Sequence, residues 1–101
     1  MNKNEYGQVL YVNTGTDLTG ATLTLVLQPE QGETLELQSG VDIGLTPITV
    51  NGTLFNANEY ATYTVKEGDL SYSGRWRMKL KVKFSSTKEL STDFQVFRVK
   101  E

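Results

Sequence analysis

Residues 74–84 read GRWRMKLKVKF. Arg75, Arg77, Lys79, Lys81 and Lys83 alternate without a break with Trp76, Met78, Leu80, Val82 and Phe84. Side chains on a strand point alternately to opposite faces, whereas a helix repeats every 3.6 residues. This pattern therefore dictates a strand with one apolar and one cationic face. Burying the five apolar side chains is worth on the order of 1.5–3 kcal/mol each. A one-residue slip in register would bury five charges instead, so the register is firmly set. Such a strand needs a partner strand and an apolar layer over its inner face; if it is an edge, its lysines discourage edge-to-edge pairing.

The rest of the chain supplies them. Turn signals recur at short intervals: NTGTD at 13–17, PEQG at 29–32, SG at 39–40, NG at 51–52, EGD at 67–69 and SG at 73–74. Between them lie short runs rich in Thr, Val, Leu and Tyr, the signature of an all-β sandwich or barrel. The reading strand by strand is 8–13, 21–28, 33–38, one or two strands within 41–55, then 59–65, 75–84 and 90–99. That makes about seven. In 21–28, Leu23, Leu25 and Leu27 share one face and Thr22, Thr24 and Val26 the other. Leu35 and Leu37 point inward, so 21–38 is a hairpin. Asn51-Gly52 marks a two-residue hairpin turn. Tyr60 and Tyr63 fall on opposite faces, which places one at a rim or requires a bulge. Segment 66–74 crosses between sheets, and 75–84 with 90–99 forms a long terminal hairpin. Trp76 is assigned to the core; Tyr6, Tyr11 and Tyr72 are candidates for surface aromatics. The chain is one domain spanning 1–101, long enough to bury about two-thirds of its unfolded surface.

Composition narrows the chemistry. The 101 residues contain no Cys and no His, which removes thiolate chemistry, the commonest general base and the commonest transition-metal ligand. No disulfide staples the fold, as in proteins made in a reducing compartment. There is no Ser-x-x-Lys, no Gly-x-Ser-x-Gly and no phosphate-binding loop. EGD at 67–69 lacks the Asp-x-Asp-x-Asp-Gly spacing of a Ca²⁺ loop and reads as a turn. The N-terminus has no apolar signal-peptide core, and the longest apolar run, Leu25–Leu27, is too short for a membrane span. The chain is read as non-enzymatic, with no catalytic, cofactor-binding or metal-ligating residue, no cofactor and no membrane contact.

What remains is the basic ladder Arg75, Arg77, Lys79, Lys81 and Lys83, half of the chain's ten basic residues. Three readings stand. It is a solvated face paired across strands with acids such as Glu89 and Asp93, or a docking face for an acidic protein, or a nucleic-acid site. The last is disfavoured because aromatics are not interleaved on the basic face and the net charge is −2.

The order of the pieces resembles small immunoglobulin-like virion proteins of tailed bacteriophages. The resemblance rests on Asp17-Leu18-Thr19-Gly20-Ala21-Thr22, on the hairpin turn Pro29-Glu30-Gln31-Gly32, and on Tyr60, Tyr63, Thr64, Gly68, Asp69, Leu70, Gly74 and Trp76 within EYATYTVKEGDLSYSGRWRMKLKV. The closing STDFQVFRV is similar as well. Asp17 suits an Asx turn, Gly20 a corner, and Leu70 a plug at the sandwich end. The N-terminal immunoglobulin-like module of baseplate upper proteins looks alike. The resemblance implies an immunoglobulin-like antiparallel β-sandwich of about seven strands. It also implies a structural or adaptor role in the tail, baseplate or neck of a virion, after synthesis in the host cytoplasm. Partners would be other virion proteins in a symmetric, multi-copy assembly. Alternatives are a capsid decoration protein and a module that binds a host-surface glycan or receptor. No catalytic residue is carried over.

Overall fold

A computed structural model of the chain describes residues 2–101. They form ten strands: β1 (Val9–Asn13), β2 (Thr22–Pro29), β3 (Leu35–Leu37), β4 (Val41–Ile43), β5 (Ile48–Val50), β6 (Thr53–Phe55), β7 (Tyr60–Thr64), β8 (Gly74–Ser85), β9 (Lys88–Ser91) and β10 (Gln95–Val99). The fold is all-β. One sheet has the order β1-β7-β4; a five-stranded sheet has the order β10-β8-β2-β3 with β9 also on β8; β5 and β6 pair separately. All these pairings are antiparallel. One isolated parallel bridge joins Asn2 to Lys100.

The β8 alternation does what its period demands. Trp76, Met78, Leu80 and Val82 are buried, and β2 runs beside β8 from Thr22 opposite Lys83 to Pro29 opposite Trp76. Leu23, Leu25 and Leu27 of β2 enter the same core. From the other sheet come Leu10 and Val12 of β1 and Ala61 and Tyr63 of β7, so the two sheets face each other across one apolar layer, in the manner of a sandwich. Leu18 and Leu70, both from loops, join it fully buried, as the plug reading of Leu70 requires. Trp76 is core too: its indole N–H donates to the Tyr72 carbonyl at 3.0 Å and its ring stacks on Phe97 at 6.0 Å.

The turns follow from single residues. Asp17 Oδ1 accepts from the Thr19 hydroxyl at 2.7 Å and the Thr19 backbone N–H at 3.0 Å, an Asx turn, and those bonds hold its carboxyl below the ordinary aspartate range. Asn51 and Gly52 have φ of 49° and 82°, the double positive φ of a type I′ hairpin turn.

Three details depart from the sequence reading. Segment 41–55 holds three strands, β4, β5 and β6, and the last strand is divided into β9 and β10, giving ten strands where about seven were expected. Tyr60 and Tyr63 do lie on opposite faces of β7, yet both are buried. Tyr60 points away from the main core into a second apolar layer, between Phe55 of the β5–β6 hairpin at 5.8 Å and Tyr11 at 6.4 Å. Its hydroxyl donates to the Thr46 carbonyl at 2.6 Å. Neither a rim nor a bulge is needed in β7, because the hairpin covers the outer face of the small sheet.

The division of the last strand is a β-bulge. Leu90 faces Val82 and Ser91 faces Lys81, whereas Gln95 faces Met78 and Val96 faces Arg77. Four steps along β9–β10 therefore span three along β8, and the extra residue lies between Thr92 and Phe94. Thr92 stitches the break: its N–H donates to the Leu80 carbonyl at 3.0 Å, and its hydroxyl accepts from the Leu80 N–H at 2.9 Å.

Candidate functional site

The bulge decides what the outer face of the large sheet presents. With strict alternation from Leu90, positions 94, 96 and 98 would face the core and would bury Arg98. The one-residue slip turns Phe97 and Val99 inward and sets Phe94, Val96 and Arg98 outward, beside the basic residues of β8. Arg75, Arg77 and Lys83 are exposed and Lys79 and Lys81 half-buried. Phe94 and Val96 remain 40% and 53% exposed. All five ladder residues thus lie on one face, joined by Arg98 and by an apolar spot.

Their partners are few. Lys81 pairs with Glu36 of β3 at 3.0 Å, the only ion pair within 4.0 Å among the described residues. Glu89 is opposite Lys83 in register, and Asp93 lies at the bulge, but neither closes an ion pair, so the acid that meets the ladder is Glu36 rather than these two. Arg77 donates to Gln28 Oε1 at 2.7 Å. The Arg77 guanidinium and the Lys79 ammonium both sit over the Phe94 ring, at 4.4 and 4.8 Å from its centre. Arg75 stands directly opposite Arg98, a like-charge cross-strand pair that opposes folding unless an anion comes between. Val26, on this outer side, is only 5% exposed, because its register neighbours Lys79 and Glu36 cover it with their stems.

Electrostatically the face stands apart from the rest of the chain. Six cations (Arg75, Arg77, Lys79, Lys81, Lys83 and Arg98) face three carboxylates (Glu30 opposite Arg75, Glu36 and Glu89), a surplus of three positive charges. The whole chain is −2, so everything else carries a surplus of five negative charges. Beside Arg75 and Arg77 an open hollow of about 410 Å³ is bounded by Gln28, Pro29 and Glu30. No protein-family model, curated protein or solved structure matches the chain.

The absence of interleaved aromatics, used in the sequence to disfavour nucleic acid, does not hold in three dimensions: Phe94 sits among the cations. A single ring already covered by two cations is nevertheless not the row of stacking platforms that single strands use. Of the surface tyrosines, Tyr6 and Tyr72 are exposed, and Tyr11 is half-buried against Tyr60. Asp69 of the EGD turn is engaged within the fold, its Oδ2 accepting from the Tyr63 hydroxyl at 2.5 Å and the Lys66 N–H at 2.8 Å. Sequence reasoning missed Glu36, Phe94, Val96 and Arg98. A signal for the last three exists: Leu90 has the opposite parity to Phe97 and Val99, and both sets can face one core only if the strand slips by one residue.

Proposed function

We propose that this chain is a non-enzymatic structural or adaptor protein of a tailed-phage virion, in its tail, baseplate or neck. In this reading it is an immunoglobulin-like sandwich that docks on neighbouring virion proteins through the outer face of its large sheet. The observation that carries the docking is that face: six cations, one ion pair, and Phe94 and Val96 exposed among them. Interfaces favour Arg and aromatic residues around an apolar centre with a polar rim.

Strand order supports the immunoglobulin-like part of the reading. The sheets β1-β7-β4 and β3-β2-β8-β10 follow the B-E-D and C′-C-F-G orders of that fold, with β5–β6 as an added hairpin and no strand in the place of A. The residues that carry the resemblance act in folding: Asp17 makes a turn, Leu70 and Trp76 fill the core, and Tyr63 and Asp69 brace a loop. A motif of this kind belongs to a scaffold, and function then resides in surfaces grafted onto it.

Mass spectrometry of density-purified particles, with copy number measured against the major capsid protein, tests the proposal. A few to tens of copies support a place in tail, baseplate or neck. Hundreds move the protein to capsid decoration, and absence from particles overturns the virion reading.

A further inference from the structure

We infer that the free edge of β1 is a docking site for an extended segment of a partner protein, which adds to the small sheet as a further strand. This edge is separate from the basic face of the large sheet. Register shows which backbone groups it offers. The Val65 N–H donates to the Gln8 carbonyl, and the Thr14 N–H to the Glu59 carbonyl, both at 2.8 Å. The residues of β1 that bond β7 are those in step with Gln8 and Thr14, namely Leu10 and Val12. The N–H and C=O groups of Val9, Tyr11 and Asn13 point the other way, where among the described residues no strand pairs with β1.

The chain leaves this edge uncovered. Residues 4–7 reach β1 past Leu70 and Val65, to whose carbonyls Asn4 and Gly7 donate at 2.8 Å, and do not run beside it. Two open hollows follow it instead. One, of about 470 Å³, lies beside Val9, Leu10 and Tyr11, and the other, of about 380 Å³, beside Asn13 and Thr14; Gln95 of β10 bounds both. The first reaches Met78 and the second Leu90, residues that belong to the core or pack against it. At the two ends of the strand, Gln8 Oε1 and Asn13 Oδ1 are buried and find no hydrogen-bond partner among the described residues.

The other sheet edges are blunted. β3 and β4 are three residues long and carry Glu36 and Asp42 at their centres. The edge formed by β9 and β10 is broken by its bulge, and just beyond it Asn2 bridges Lys100. β1 has five residues, VLYVN, with no charge, no proline and no break in register. An edge left in that state is a template for another strand.

Backbone donors and acceptors at alternate positions are matched by extended backbone, the pairing that strand addition uses. The hollows decide which strand fits. The β1 of a second copy has the same free groups, but its Leu10 and Val12 are held in its own core and would leave both hollows empty. A separate segment turns every second side chain inward, where apolar groups meet Leu10, Met78 and Leu90. The occupant is thus a β-forming segment of about five residues, about 17 Å long, with apolar side chains at alternate positions.

Amide hydrogen exchange of the full chain, followed by NMR, is the test. In the free chain the amides of Val9, Tyr11 and Asn13 are expected to exchange at least about tenfold faster than those of Leu10 and Val12. The probe is a synthetic peptide of alternating valine and threonine with serine-glycine flanks. Adding it is expected to slow those three amides at least about tenfold, whereas the same peptide with proline at its centre does not. Val9→Pro removes a donor that β7 does not use, so it is expected to fold, as thermal unfolding checks, and to bind the peptide at least about tenfold more weakly. Val9→Lys, at an exposed site, replaces it if it does not fold and is expected to weaken binding likewise.

Slow exchange of the three amides in the dilute free chain overturns the inference. So does a peptide that leaves them unprotected at about 1 mM, or a folded variant that binds it as well as the parent. Protection that appears on raising the chain's own concentration, with a mass above the 11.3 kDa protomer, overturns it in favour of pairing with a second copy.

Discussion

Tyr63 shows how one side chain ties a loop to the core. Burial raises its phenol pKa, and the Asp69 carboxylate raises it further by hydrogen bonding and by its charge. The folded state therefore prefers the neutral phenol. That preference contributes in full below the unfolded value of about 10 and is lost as the pH climbs through the higher folded value. Urea unfolding at pH 8 and at pH 11 is expected to show the parent losing more stability than Tyr63→Phe over that interval. At pH 8 the substitution itself costs about 1.5–3 kcal/mol, the range for a hydrogen bond to a charged group. Gly44 makes a different point. A Cβ there would lie 2.0 Å from Cζ of Tyr60, in the second apolar layer. Gly44→Ala is expected to cost about 1–3 kcal/mol by overpacking, read as a lower urea midpoint.

At the scale of the element, the bulge between β9 and β10 does most to shape the outer face. It relies on Thr92, whose hydroxyl satisfies the Leu80 N–H that a regular ladder would have given to a backbone carbonyl. Thr92→Val keeps the shape and strands that donor, with an expected loss of about 1–3 kcal/mol in urea unfolding; Thr92→Ser keeps the oxygen and loses less. The bulge was legible in principle, from the parity conflict between Leu90 and Phe97. The layer over Tyr60 was not, since nothing local to 59–65 tells that a hairpin from 48–55 will return to cover it. That hairpin's own turn was plain, because Asn51-Gly52 is suited to two successive positive φ values and few other pairs are.

For the whole molecule the governing feature is the concentration of cations on the outer face of the large sheet. The basic ladder points outward as its alternation demands, so reversing two of its members should spare the fold. Lys79→Glu with Lys81→Glu loses the Glu36 pair and the contact with Phe94, exposed or half-exposed interactions worth about 1 kcal/mol or less apiece. Circular dichroism is expected to show a native spectrum with Tm lowered by several degrees. Loss of the fold would mean that these side chains do not face outward.

Much of this protein is decided by period and by special residues. Alternation at 75–84 determines a two-faced strand, its register and the identity of its core residues, because a slip would bury charge. Asp17 and Asn51-Gly52 determine their turns, because their side chains or backbones suit conformations that others resist. Strand count, the second apolar layer over Tyr60, the pairing of Lys81 with Glu36 and the arrival of Phe94 among the cations were decided only by the tertiary structure. Each of these joins segments distant in sequence, and its energy exists only once the sheets have assembled. A residue's own neighbours in the chain set which face it occupies; what lies across from that face is set by the rest of the molecule.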